Sequence, residues 1–578
     1  MLTGGAPTTD RHASHTRIGE GMMNRYRHLA ASIGCGGRAT AGAVLSAFLL
    51  LLTVVLSACG SVSTPASSTK SGPLVVNSAT ALKTLDPAYT NDQFGGGIVL
   101  ATYGTLTQVE QSPGGAPGIT QQNLDVHAVK PYLAESWTIT NGGRTITFHL
   151  RPGMKFPSGD PVNAQAVVWS LKRISTLQTG AYSNFEESQY TPPLVRSVTA
   201  TGPLTVVIQY SRPAPNQLQV LAYHAGAVYD PALVERHGGM GTKGGTPNPW
   251  LATHSAGFGP YLVESYQPGR QLVLVANPHF FAQPKAKKVV LNFIPNDSTL
   301  LLDARSGEAD ITLGLSPESA HSLASNQCCR VVALTSRQFE SLNLPETKQY
   351  PELENLAFRQ ALSYAVPYAA ILKTVGSGYG RLFSGEWLPS FPFYDPSVGA
   401  PHPTDLAKAK QLIAASGVKT PVTFPIYVDQ GDLIGQAAGT AVAGAWKALG
   451  VNAQVTPVSA ADLQTVVYGT HAGPSLFLDG PYVVAPEYMW AYDLQCPPIN
   501  QFNDTLICIP KADKLMRELP FVTSAAKQQE IINEVDEMYI AAASRIDLYN
   551  IEDVTVLNKR VTNYYSSDVP DMRFWGVG

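Results

Sequence analysis

The chain has 578 residues, with 40 Lys and Arg against 43 Asp and Glu, for a formal net charge of −3. Charged residues make up 14 %, well under the roughly 25 % of ordinary soluble domains, while 44 % are hydrophobic, so a globally disordered chain is excluded and the basic surplus of a nucleic-acid binder is lacking. At about 150 residues per domain the length accommodates two to four domains, and the composition excludes collagen-like and coiled-coil classes.

The first element is an export signal. Residues 39–69 carry no charge, and within them Ala41 to Leu56 form an apolar run preceded by Arg25, Arg27 and Arg38. A positive start, an apolar middle and a small-residue end is the order of a secretory signal, and the run is shorter than the ~18 residues of a spanning helix. It closes on Leu56-Ser57-Ala58-Cys59, a tetrapeptide that resembles the lipobox of bacterial lipoproteins, in which the Cys is acylated and becomes the first residue. Residues 1–58 are thus read as signal, Cys59 as the lipidation site and 59–72 as a flexible tether rich in Ser, Thr and Gly. Because 58 residues is long for such a signal, Met22 or Met23 is the expected start. The protein is expected outside the cytoplasmic membrane, held to its outer face by lipid.

Four further cysteines remain after export: Cys328, Cys329, Cys496 and Cys508. In an oxidising compartment, Cys496 and Cys508 are expected to close a loop, worth roughly 3 kcal/mol in a chain-entropy model. Cys328 and Cys329 could form a vicinal disulfide, pair elsewhere or stay reduced. No pair stands beside His in a zinc-finger spacing, so no metal site is expected.

In the mature chain, Leu74-Val75-Val76 reads as a buried strand ended by Asn77-Ser78. Trp137–Thr140, Asn141-Gly142-Gly143 and Arg144–Leu150 read as a β-hairpin, from the Asn-Gly turn and the alternation on both sides. Asn163 caps a helix whose Ala164, Val167, Val168, Leu171 and Ile174 form one face. Strands are expected at 204–210 and 272–275. Residues 405–416 form a helix with Leu406, Ala409, Leu412 and Ile413 on one face, stopped by Gly417. Val422, Phe424, Ile426 and Val428 alternate as a strand, which Pro425 assigns to an edge or bulge. A helix over 435–449, Gly450 as its stop and a strand over 451–458 complete two successive helix–strand units, an α/β pattern.

Several segments together resemble a known family. The run Pro131-Tyr132-Leu133-Ala134-Glu135-Ser136-Trp137, continued through Phe148-His149-Leu150-Arg151-Pro152-Gly153-Met154-Lys155-Phe156 to Gly159, is similar to the family 5 extracellular solute-binding proteins, receptors of bacterial ABC importers for peptides, nickel and related ligands. In the family's order follow Leu85-Asp86-Pro87, Gly257-Phe258-Gly259-Pro260-Tyr261, Asn277-Pro278, Gly307-Glu308-Ala309-Asp310-Ile311, Phe358-Arg359-Gln360-Ala361-Leu362-Ser363-Tyr364-Ala365, Ala407-Lys408-Ala409-Lys410 and Leu449-Gly450-Val451. Most of these read equally well as core and turn chemistry, with Gly257 and Gly259 fixing a tight turn and the Arg359 helix a hinge-side scaffold. One departure is Ala166, which stands where the family places an acidic residue that completes a capping box.

The resemblance implies an α/β fold of two lobes, periplasmic-binding-protein-like, with mixed sheets and helices on both faces. Lobe I would comprise 73–333 and 548–578, with an extra subdomain near 100–215, and lobe II 334–547. It implies a monomer that binds a peptide or other small solute between the lobes and passes it to ABC permease subunits, with no cofactor, no nucleic acid and no chemistry on the ligand. Peptide receptors of the family hold the ligand's ammonium with an Asp. Near Leu478-Asp479-Gly480-Pro481-Tyr482 the ungapped match puts that position on Tyr482, so either the loop is shifted and Asp479 takes the role or the anchor is absent. Tyr89, Asp92 and Trp387 complete the expected ligand contacts. A non-peptide solute (haem, metal chelate, glycan or lipid-like) and a surface lipoprotein with a signalling or enzymatic role are the alternatives. Gly-x-Ser-x-Gly and His-Glu-x-x-His are absent, and Gly238–Gly245 lacks the features of a phosphate loop and reads as a floppy surface loop.

Overall fold

Two long antiparallel strands, Cys329–Asn343 and Arg545–Asn558, run side by side through the middle of the protein. The computed structural model describes residues 72–578 except 91, 126, 180, 182–184, 187–191, 402, 482–483, 491–493, 497–502, 523 and 567–568. The signal, the tether and Cys59 lie outside the described residues.

Among the described residues the largest sheet has eleven strands, and the long pair joins its halves. On one side Ile311–Leu313 pairs with Arg545–Asn558, then come Leu74–Ser78, Lys288–Phe293, Gln271–Ala276 and Tyr261–Gln267. On the other, Ser475–Asp479 pairs with Cys329–Asn343 from Phe339 onward, followed by Val422–Asp429 and Val451–Val458. A smaller antiparallel sheet holds Ala134–Thr140, Thr145–Leu150, Thr205–Tyr210 and Val195–Gly202, and the Ala164–Leu177 helix packs against the last two.

Local chemistry accounts for most boundaries. Asn141, Gly142 and Gly143 all have positive φ, which turns the Trp137–Phe148 hairpin. Asn163 Oδ1 accepts from Ala166 N at 3.0 Å, so the helix keeps an N-cap without the reciprocal acid. Asp405 caps Leu406–Ser416, and Gly417 ends it in the left-handed region at φ 68°. Asp432 caps Leu433–Trp446, two residues before the expected start, and Gly450 ends the following turn at φ 77°.

Three readings need correction. Asn77 and Ser78 continue the first strand, because Asn77 is buried and saturated: its Nδ2 donates to Asp303 Oδ2 and its Oδ1 accepts from Asn292, both at 2.9 Å. The Val422–Asp429 strand is internal, with Val451–Val458 outside it. Pro425 is tolerated because Tyr427 N–H points to Pro474 O (2.8 Å), and Pro425, facing the same way two residues earlier, lies beyond the neighbouring strand's start at Ser475. The glycine-rich 238–245 segment is a surface loop but a tied one. Arg173 Nε donates to Met240 O (3.1 Å), Gly244 N to Leu177 O (3.1 Å) and Tyr89 Oη to Gly245 O (2.8 Å).

Close approach, not turn geometry, explains Gly257 and Gly259. A Cβ at Gly257 would stand 2.3 Å from Thr102 O, and one at Gly259 2.5 Å from Ala101 O, so only glycine lets this segment lie on the end of the Gln93–Thr102 helix.

Candidate functional site between the halves of the sheet

The regular pairing of the long strands breaks twice, between Glu340 and Ser341 and more widely just before Phe339. Thr335 opposes Glu552 and Phe339 opposes Asn550, so Ser336, Arg337 and Gln338 face Ile551 alone. Such a bulge bends its strand and raises local twist. Asn550 clasps it from below, its Nδ2 donating to Ser336 O (3.1 Å) and Gln338 O (2.7 Å). The Gly380–Arg381 strand pairs with Asn550 and Ile551 at the same level. At the apex, Arg337 is fully buried and its guanidinium stands over the Tyr223 ring at 5.6 Å. The hydroxyl of Tyr223 accepts from Gln122 Nε2 at 2.5 Å. One continuous cluster of buried apolar side chains joins Val220 and Leu221 to Phe339, Val484 and Trp490, so the 214–228 segment packs against the second half of the chain here.

Beyond the bulge lies a concentration of acid. Arg545 pairs with Glu386 Oε2 at 2.6 Å and with Asp547 Oδ1 at 2.9 Å, and its guanidinium covers the Phe339 ring at 4.9 Å. Asp536 Oδ1 accepts from Glu386 N (2.7 Å), Asp547 Oδ2 from Gly385 N (3.0 Å), and Asp504 Oδ2 from Asn343 Nδ2 (2.6 Å). Asp479 ends the Ser475–Asp479 strand opposite Phe339, with Oδ1 accepting from Gly480 N at 2.6 Å. All five carboxyls feel Arg545, yet burial dominates and pushes each of them up, Asp504 and Asp536 to about 7. One guanidinium cannot neutralise five carboxylates, so near neutral pH part of the cluster holds protons.

The expected ligand contacts scatter. Asp479 stands in this region, and Trp387 directly follows Glu386 of the cluster. Tyr482 lies outside the described residues. Trp387 is wholly buried, its indole N–H directed to Ile532 O at 3.4 Å and its ring edge-on to Phe393. Asp92 caps the Gln93–Thr102 helix by accepting from Gly95 N (2.8 Å), and half-buried Tyr89 is held by Gly245. The structure therefore gives Asp92 a capping task and Trp387 a core position. Sequence reasoning missed Arg545, Glu386, Asp504, Asp536 and Asp547, and an Arg-x-Asp at a strand start was their only local sign. Cys496 and Cys508 are placed with sulfurs 2.18 Å apart and Cα atoms 4.7 Å apart, while Cys328 and Cys329 are free. Among the described residues no group of three or more His, Cys, Asp or Glu is arranged to hold a metal ion, and no helix is long and apolar enough to cross a membrane.

The model of bacterial extracellular solute-binding proteins, family 5, matches residues 128–493. The chain belongs to that family. As a family 5 solute-binding protein it is 29 % identical over 313 residues to the probable D,D-dipeptide-binding periplasmic protein DdpA of Escherichia coli, an alignment covering 54 % of this chain and 56 % of that relative. It is 23 % identical to the glutathione-binding protein GsiB of Salmonella typhimurium over 87 % of this chain and 93 % of that one. The periplasmic binding protein DppA of Helicobacter pylori, solved with the peptide STSA, superposes with a TM-score of 0.73 at 19 % identity, covering 88 % of this chain and 98 % of that chain. The fold of this solute-binding protein is thus the two-lobed α/β one that the resemblance implied. Its family is one of transport receptors working outside the cytoplasm, not of enzymes.

Proposed function

We propose that the protein is a lipid-anchored receptor that encloses a dipeptide or oligopeptide between its lobes and delivers it to an ABC import permease. Cys59 carries the anchor, and the lobes divide as 73–333 with 548–578 against 334–547, a boundary three residues short of the Ser336–Gln338 bulge. The relatives named for a D,D-dipeptide and for glutathione, and the neighbour solved with a peptide, support a peptide ligand.

The surplus of buried carboxyls around Arg545 carries the reading at residue level. A cluster short of positive charge gains from an incoming cation, and a peptide's ammonium beside Asp479 supplies one without needing a metal. Contacts to both lobes exist only in the closed form, so the ligand shifts the population toward closure. Native mass spectrometry of the exported protein tests the proposal, with a retained peptide as the expected result. X-ray scattering on adding that peptide should show a smaller radius of gyration, and ~2.7 kcal/mol of stabilisation is expected at 100 times the dissociation constant. A retained solute that is not a peptide would overturn it.

A further inference from the structure

Gln217 and Gln219 are completely buried, and among the described residues none of the four heteroatoms of their two carboxamides has a hydrogen-bond partner. Buried polar groups in native proteins are nearly always paired, because desolvation without a partner costs more than an ordinary hydrogen bond returns. Two such amides on one short helix, projecting from different sides of it, each call for a partner supplied from elsewhere.

Their position says from where. They belong to the short Gln217–Val220 helix, fixed from behind by Thr107 Oγ1 donating to Leu218 O at 2.6 Å. Val220 and Leu221, which follow, are in the cluster that reaches Phe339, Val484 and Trp490. Tyr223, one turn beyond Gln219, lies under Arg337 at the bulge. The two amides therefore sit in the segment of the first lobe that meets the second.

We propose that Gln217 and Gln219 are specificity-determining residues that hydrogen-bond the peptide groups of the enclosed ligand, an inference resting on the peptide-receptor reading above. A carboxamide offers both an acceptor and two donors, so each can pair with a ligand C=O, a ligand N–H or both. Side-chain-independent reading of this kind admits peptides of varied sequence and rejects solutes that cannot pair, since those leave the amides buried and unsatisfied. It complements an ammonium anchor at Asp479, which would fix only one end.

The test uses the mature exported protein and a pool of synthetic di-, tri- and tetrapeptides, with Gln217→Met and Gln219→Met as near-isosteric variants. Both variants should melt higher than wild type without peptide, because an unpaired amide has been replaced by an apolar group, and both should bind the peptide retained by wild type at least about tenfold more weakly. A variant that melts lower or fails to fold would show that the amide has a structural partner and overturn the inference. Affinities within twofold of wild type would overturn it too, leaving the peptide reading intact. Wild-type protein that retains nothing from the pool would defeat the peptide reading, and the inference with it.

Discussion

Arg173 and Asp86 form a bidentate ion pair in which both N–O distances are 2.7 Å and both side chains are essentially inaccessible. Tyr229 Oη adds a third contact to Asp86 Oδ1 at 3.1 Å, and the guanidinium lies over the Tyr229 ring at 5.0 Å. The Leu85-Asp86-Pro87 segment is thereby pinned to the Ala164–Leu177 helix, which gives that family motif a structural task. Removing one partner leaves the other charge buried and alone. Asp86→Ala is expected to cost about 3–5 kcal/mol in urea unfolding, and Asp86→Leu with Arg173→Met clearly less than the sum of the single changes. A single-variant loss below ~1 kcal/mol would contradict this assignment.

The carboxyls around Arg545 make a prediction about pH. Asp504 and Asp536 are held by burial at about 7 in the folded protein, whereas unfolded Asp titrates near ~3.9. Between those values the folded state binds more protons, so this contribution to stability is fully present below about pH 4 and is lost as pH rises through about 7. His224 acts oppositely, since burial holds it down to about 4, so its penalty on the folded state is full below that value and fades as pH rises to the unfolded value near ~6.5. The informative measurement is therefore a difference: the melting temperature of Asp504→Asn minus that of wild type should be more positive at pH 8 than at pH 5. A difference independent of pH would refute the proton-holding cluster.

Asp479 is the proposed ammonium anchor. Breaking a buried ion pair costs on the order of 3–5 kcal/mol, so Asp479→Asn should weaken binding of the retained peptide severely. N-acetylating the peptide should do the same, and the two changes should not add. Calorimetry on the four combinations decides it, and full additivity would assign the ammonium to another residue.

For the membrane anchor, Cys59→Ser should leave the precursor uncleaved and unlabelled by radioactive fatty acid. Acylation of the variant would remove the anchor from Cys59.

How much could be read in advance depended on distance along the chain. The Asn163 cap, the Asn141–Gly143 turn and the stops at Gly417 and Gly450 were legible because each depends on the dihedral or hydrogen-bonding preference of a few consecutive residues. Pro425 misled for the same reason: a local rule predicted an edge, but where the next strand begins is decided by Ser475. The site was less legible still. The resemblance points to Asp92 and Trp387 as ligand contacts, and only the structure shows that Asp92 also caps a helix and that Trp387 is buried.

Sequence alone determined the family, the helix–strand alternation and the Asn163 cap, all of which are written in contiguous residues. Only the tertiary structure decided that Glu386, Asp479, Asp504, Asp536 and Asp547, from five separate segments, would surround Arg545, and that Asp86 would meet Arg173 across 87 positions. The physical reason is that the charge state of a buried group depends on what is packed around it, and packing brings together residues whose separation in the chain carries no periodic or local signal.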